Sequence, residues 1–200
     1  MKYNEMKQAV NLLAKEWNLG KKESGAEGNI CAWIYLIDVL EESEEIVTYK
    51  EGKKLVGFCG YSKESSHKKL LKKKIYKIIS NILRKSKKIK NKEAFDQYEK
   101  NYNYIPKELE NYFDGEISIL LVDSNYRGKN IGKKLLFKIF EMAKNDNIKN
   151  LQIVTDESCN YQFYEKCGCK KVYETKVKNK EYGKLGQIKF ENAFIYEKIL

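Results

Sequence analysis

Residues 116–140 read EISILLVDSNYRGKNIGKKLLFKIF, and this stretch decides the fold class. From Glu116 to Val122 it crowds aliphatic side chains into a short run, as a strand does. A polar turn follows, and then Ile131, Leu135, Ile139 and Ala143 recur at helical spacing, giving the next element one apolar face. A second strand is predicted from Leu151 to Thr155. Strand, helix and strand in this order and length form the elementary crossover that joins parallel neighbours in a sheet. The class is therefore α/β.

Toward the C-terminus, a short helix is expected from about Ser158 to Lys166, ending at Gly168, then strands from Lys170 to Val177 and around Phe190 to Lys198. Toward the N-terminus, two strands, 46–49 and 55–61, flank Glu51-Gly52 and read as an antiparallel hairpin. Met6, Val10, Leu13 and Trp17 mark a first helix. Residues 21–29 read as a polar loop, and Ile30 to Leu40 fits either a short helix or a strand, with helix favoured. At 200 residues and 42% apolar content the chain can bury a core of its own and is read as one domain over 1–200. No apolar run approaches a membrane span and no signal peptide is visible, so a cytoplasmic location is expected.

The formal charge of +11 is concentrated. Residues 63–92 hold 13 Lys or Arg against one acid, Glu64, while the remaining chain is close to neutral. Within that segment Leu71, Ile75, Ile78, Ile79 and Ile82 fall at helical spacing, which predicts an amphipathic helix with lysines on a solvated face. Only two of the 39 basic residues are Arg, and the segment offers one aromatic, Tyr76. Base-reading and single-strand-binding surfaces want the arginine fork and interleaved aromatics, so the solvated face leads and nucleic acid is disfavoured; steering of an anionic ligand comes next, with a membrane or nucleic-acid surface behind it. Together with the tyrosine-rich run from Phe95 to Phe113, residues 62–112 read as an inserted basic helical segment.

Five cysteines are an odd number in a chain this long, so free thiols are expected. His67 is the sole histidine and sits in a lysine run, which removes Ser-His and Cys-His nucleophile pairs and leaves Cys167-Gly168-Cys169 without the ligands of a zinc site. No metal is expected.

The turn at 125–134 is where chemistry can be argued. A Gly- and Asn-containing turn entering a helix presents unpaired N–H groups at the positive end of the helix dipole, and Lys129, Lys133 and Lys134 add charge, so a phosphate or pyrophosphate fits there. An ordinary helix start is the plain alternative. The spacing of Gly128 and Gly132 matches neither a P-loop nor the three-glycine dinucleotide fingerprint.

Arg127-Gly128-Lys129-Asn130-Ile131-Gly132, after a strand and before a helix, resembles the acyl-coenzyme A pyrophosphate loop of the GNAT superfamily of acetyltransferases, Q/R-x-x-G-x-G/A. Asn160, followed by Phe163-Tyr164-Glu165-Lys166-Cys167-Gly168, resembles that family's second motif. The close resemblance covers roughly 116–175. Asn130 stands at the first motif glycine, and asparagine tolerates the left-handed backbone a glycine would supply there. Cys169 replaces the common Phe.

The resemblance implies a mixed, mostly antiparallel central sheet flanked by helices, and direct transfer of an acetyl group from acetyl-coenzyme A to a primary amine of a small molecule or peptide. It implies cofactor contacts at Leu121, Val122, Arg127 to Lys133 and Asn160, with an oxyanion met by a backbone N–H near Leu121 or Val122, where the family has a bulge. Tyr164 is implied as the general acid for the leaving thiolate. Glu116, with Ser118 and Leu120 on its face by alternation, is the candidate base, although a strand opening into solvent and a core tyrosine are the plain readings of these two positions. Trp33 and Tyr35 match the acceptor side. A non-catalytic acyl-coenzyme A-binding module and a polyanion-binding protein are the alternatives, and the oligomeric state, a homodimer included, stays open.

Overall fold

The computed structural model describes residues 1–17, 25–63, 70–89, 106–180 and 188–200. His67 and most of the tyrosine-rich run lie outside them. Six strands form one sheet in the order β1-β2-β3-β4-β6-β5. The strands are β1 (Ser43–Glu51), β2 (Lys54–Lys63), β3 (Gly115–Val122), β4 (Asn150–Asp156), β5 (Lys170–Lys180) and β6 (Ile188–Ile199). The helices are α1 (Tyr3–Glu16), α2 (Gly25–Glu42), α3 (Leu70–Arg84), α4 (Ile131–Asn145) and α5 (Gln162–Lys166). All strand neighbours are antiparallel except β3 and β4, the pair joined through α4.

Each face of the sheet has its own core. On one, Leu135, Leu136, Ile139 and Ala143 of α4 pack on Cys59, Tyr61, Ile117, Leu151 and Ile153. On the other, Val10 and Leu13 of α1 and Leu36 and Leu40 of α2 pack on Phe58, Ile119 and Leu121. Each fully buried aliphatic side chain of this kind stabilises the fold by roughly 1.5–3 kcal/mol before ordering costs. The ambiguous segment from Ile30 resolves as helix, and α2 begins at Gly25, inside the stretch read as a loop. Its burial on the face that meets α1 explains why aromatic and β-branched residues fold helically there, tertiary packing overriding weak propensity.

β3 and β4 pair only at Gly115 with Leu151 and at Glu116 with Gln152. Beyond that point β4 continues on β6 as far as Asp156, and β3 continues on β2 as far as Val122, so the two parallel strands fork. Gly115 sits at the crotch, and an added Cβ there would lie 2.4 Å from the Ser62 carbonyl oxygen of β2, so glycine is what lets β3 run this close to β2. Between Gly60 with Ile119 and Ser62 with Glu116, β3 uses one more residue than β2. An extra residue bends a strand and turns its side chains, and here it falls at 117–118, where the fork opens. The irregularity thus lies earlier than the expected position near Leu121 or Val122. It also breaks the alternation: Leu120 packs on the α4 side with Ile117, not on the face of Glu116 and Ser118.

The lysine-rich helix exists as α3, but its orientation is the reverse of ordinary amphipathic packing. It leans on α2 through Tyr76, Leu83 and Arg84, whose guanidinium pairs with Asp38, while its isoleucine stripe faces outward. Around the second motif, the helix is shorter than expected: α5 holds only Gln162–Lys166, and Asn160 precedes it and is exposed. Cys167 is buried, whereas Cys159 is exposed.

Candidate active site

The loop before α4 is built from local backbone chemistry. Asp123 ends β3 and its carboxylate accepts from the Asn125 N–H at 3.1 Å, which starts a single 3-10 turn over Ser124–Tyr126. Gly128 then takes φ +80°, and Asn130 takes φ +58°, ψ +16°, the left-handed conformation in which it caps α4. The first bond closing onto this cap runs from the Lys134 N–H to the Asn130 carbonyl. The N–H groups of Ile131, Gly132 and Lys133 precede it and have no intrahelical acceptor. No acid lies in the first turn. The ammonium groups of Lys129 and Lys54 sit over the Tyr126 ring at 4.9 and 4.7 Å. The dipole and the unpaired N–H groups favour an anion at this end of α4, and Lys129 adds positive charge to the same loop.

A second, non-local layer holds the loop. Asp123 is paired with Lys15 and, at 3.0 Å, with Lys54. Glu16 accepts from the Ser124 N–H at 3.0 Å, from its hydroxyl at 2.9 Å and from the Arg127 guanidinium at 2.7 Å. Burial opposes charge on Asp123, but the two ammonium groups and the Asn125 N–H outweigh it and hold the carboxyl down at about 2. Burial likewise opposes charge on Glu16, and the Ser124 donors, Lys15 and Arg127 together bring its pKa below the ordinary value. Asp123 carries a sequence signal, an aspartate two residues before an N–H in a turn. Glu16 carries none, since its partners lie 108 and 111 positions away.

The fork supplies the rest of the cleft. From Ile117 to Val122 the β3 edge facing β4 has no ladder partner; the register turns the backbone groups of Leu121 toward β2, so those of Leu120 and Val122 are the ones that can meet an extended ligand. Gly132 sits at the mouth, with Phe163 and Val122 at 3.5 and 3.7 Å from where its Cβ would be. Phe163 in turn meets the Tyr164 ring edge-on at 5.5 Å, and Tyr164 lies 5.8 Å from Tyr196. Loss of hydration pushes the Tyr164 hydroxyl well above its ordinary pKa, with nearby thiols adding to the effect, so it stays protonated. Among the described residues its hydroxyl has no hydrogen-bond partner.

Glu116 is half-buried at the crotch on the opposite face, since its neighbour Ile117 packs on the α4 side. Loss of hydration, and then the carboxylate of Glu42 at the end of α2, push its pKa up to about 7. Tyr164 and Glu116 therefore address the fork from its two sides. Ser118 on the Glu116 face shares a 2.6 Å hydrogen bond with Ser43. The structure gathers Leu121, Val122, the 127–133 loop, Tyr164 and Glu116 around the fork. Trp33 and Tyr35 meet the N-terminal segment: Trp33 stacks on Tyr3 of α1 and lines a surface hollow of about 330 Å³, and Tyr35 meets Trp17, just past α1, edge-on.

The forked parallel pair and the donor-rich helix start beside it leave an open cleft between β3 and β4. The sequence matches the Acetyltransferase (GNAT) family over residues 7–169, and the chain belongs to that family, which makes it an acyltransferase by class. No curated protein matches the sequence significantly. Among solved structures, the fold is shared with PH1933 from Pyrococcus horikoshii OT3 at a TM-score of 0.59 and 20% identity, covering 100% of this chain and 93% of that one. An N-acetyltransferase from Staphylococcus aureus Mu50 gives a TM-score of 0.55 and 14% identity, covering 100% and 94%. An aminoglycoside 6'-N-acetyltransferase complexed with coenzyme A gives 0.53 and 14%, covering 99% and 92%.

Proposed function

We propose that the protein transfers the acetyl group of acetyl-coenzyme A directly to a primary amine. The observation that carries this reading is the coincidence of the fork with the left-handed, lysine-rich loop at its mouth. The pyrophosphate rests on the N–H groups of Ile131, Gly132 and Lys133, and the pantetheine runs along the free β3 edge as a missing strand would. Asn160, exposed just before α5, serves in this reading as a further polar contact for the coenzyme. The thioester then lies between Tyr164 on one face and Glu116 on the other.

The amine enters from the α2 side. Glu116, with a pKa of about 7, takes a proton from it directly or through water, so that the neutral nitrogen attacks the thioester carbonyl carbon. A C–N bond forms, and the oxyanion is met by a backbone N–H of the unpaired β3 edge, that of Val122. The C–S bond then breaks, the sulfur leaves with the electron pair, and the Tyr164 hydroxyl protonates it. Glu42 and Glu116 make this approach favourable to a cation, which suits an amine arriving as its ammonium form, whether on a small molecule or a peptide.

Calorimetric titration with acetyl-coenzyme A and with coenzyme A tests the site, with Gly132→Asp alongside. A carboxylate at a helix start does not harm the helix, and the added Cβ meets Phe163 at an ordinary 3.5 Å, yet the charge repels a diphosphate. Saturable binding lost in Gly132→Asp, with acetyl transfer to an amine in a following screen, is the expected outcome. Binding without transfer to any amine would reduce the protein to an acyl-coenzyme A-binding module, and no binding at millimolar ligand would remove the cofactor site.

A further inference from the structure

We propose that α3 docks the protein onto an anionic lipid bilayer, lying flat in the headgroup region with its isoleucine stripe in the acyl boundary. The inference stands apart from the acetyl-transfer site and does not depend on it. Leu71, Ile75, Ile78 and Ile82 are between 55% and 79% exposed, and Ile79 joins them at the edge of the same stripe. Spaced at i, i+4, i+7 and i+11, they occupy one narrow face of the helix. Lys72 and Lys74 flank that face on its two sides, and both are exposed. The helix carries no acidic residue.

The opposite face is already committed to the protein. Ser80 is buried, Tyr76 and Leu83 pack into the core shared by α1 and α2, Lys73 reaches Glu44 at 3.9 Å and Arg84 pairs with Asp38. The stripe therefore points away from the body and cannot turn inward without breaking these contacts. Six exposed Leu and Ile side chains on one 15-residue helix, counting Leu70, form a contiguous apolar patch that a soluble surface rarely leaves uncovered.

Charge chooses the occupant. Residues 63–92 hold 13 basic residues and one acid, so pairing two copies through α3 would oppose two strongly positive segments. Nucleic acid would satisfy the lysines but leave the isoleucines in water. An anionic bilayer satisfies both, taking the stripe into its acyl boundary and the flanking ammonium groups among its phosphates and carboxylates. The helix is far too polar to cross, and no helix among the described residues is long and apolar enough to do so.

Cosedimentation of the full chain with phosphatidylcholine vesicles, with and without about 30% phosphatidylserine, tests the proposal. Binding at least tenfold tighter to the anionic vesicles, weakened severalfold between about 0.1 and about 0.5 M salt, is expected. Ile75→Ser with Ile78→Ser should lower vesicle affinity by roughly tenfold or more and leave the thermal unfolding temperature unchanged, because both side chains are exposed. Lys72→Gln with Lys74→Gln should lower it severalfold. Absence of vesicle binding overturns the proposal, as does equal binding to neutral and anionic vesicles. Binding to duplex DNA that survives the serine pair in place of vesicle binding, or a lipid-free dimer dispersed by it, also overturns it.

Discussion

At Asn130 the motif's glycine has been replaced by the residue best able to keep its backbone, and φ +58° shows that it has been kept. Asn130→Gly is expected to preserve acetyl-coenzyme A affinity within about twofold, whereas Asn130→Val should lose roughly 1–2 kcal/mol of stability and weaken binding, read by chemical unfolding and calorimetry. Glu116 makes a pH-dependent forecast. Its folded pKa of about 7 lies above the ordinary 4.5, so the stability it leaves intact below about 4.5 is lost as pH rises through about 7. Glu116→Gln removes that loss: the variant should gain on the wild type across this window, by up to about 3 kcal/mol, while its turnover falls roughly a hundredfold and loses the rising limb near 7. A parallel pair of stability curves would remove the shift, and unchanged turnover would remove Glu116 as the base. Tyr164→Phe should lower kcat by roughly tenfold or more and leave the affinity for coenzyme A intact; an unchanged rate would leave Tyr164 a packing residue beside Phe163.

At the scale of elements, the loop and the helix it opens were legible because the signals that shape them are local: a Gly- and Asn-containing turn, a tolerant Asn130 and the apolar face of α4. What holds that loop was not legible. Glu16 at the end of α1 reaches across the sequence to Ser124 and Arg127, and no periodicity announces a contact of that kind. The same limit applied to α3. Spacing shows that a helix has an apolar face but not which neighbour covers it, and here α2 is met by Tyr76, Leu83 and Arg84, not by the isoleucine stripe. The bulge at 117–118 escaped notice for a related reason, since alternation is only disturbed by pairing, and pairing is non-local. The clasp of α1 on the loop is testable through Asp123. Its pKa of about 2 lies below the ordinary 3.8, so its contribution is present above about 4 and lost as pH falls toward 2. Asp123→Asn should therefore cost on the order of 2 kcal/mol at pH 7, a difference from wild type that closes between pH 4 and 2. It should also raise the dissociation constant for acetyl-coenzyme A severalfold, with kcat unaffected, because it positions the loop and touches no reacting atom.

At the scale of the whole molecule, the fork divides the sheet. On one side lie β1, β2 and β3, on the other β4, β6 and β5; α4 packs on both through one core, and the two halves share a ladder only at Gly115 and Glu116. A ligand that runs between β3 and β4 replaces ladder hydrogen bonds that the protein itself does not make, so its binding energy is delivered to the junction of the two halves. Ligand that binds only the folded state adds RT ln(1 + [L]/Kd), about 2.7 kcal/mol at a hundredfold excess over Kd. For a chain of 200 residues this raises the unfolding temperature by roughly 5–10 °C. Acetyl-coenzyme A should produce that rise in the wild type and not in Gly132→Asp, and amide exchange should slow along 117–122 of β3 and on the facing edge of β4, beyond the last paired residues. A thermal rise with protection confined to the 127–133 loop would mean that the diphosphate is held but the pantetheine does not enter the fork, and the direct-transfer geometry would fail. Protection on both strands would place the thioester where Glu116 and Tyr164 can reach it from opposite faces, which is the arrangement the reaction needs.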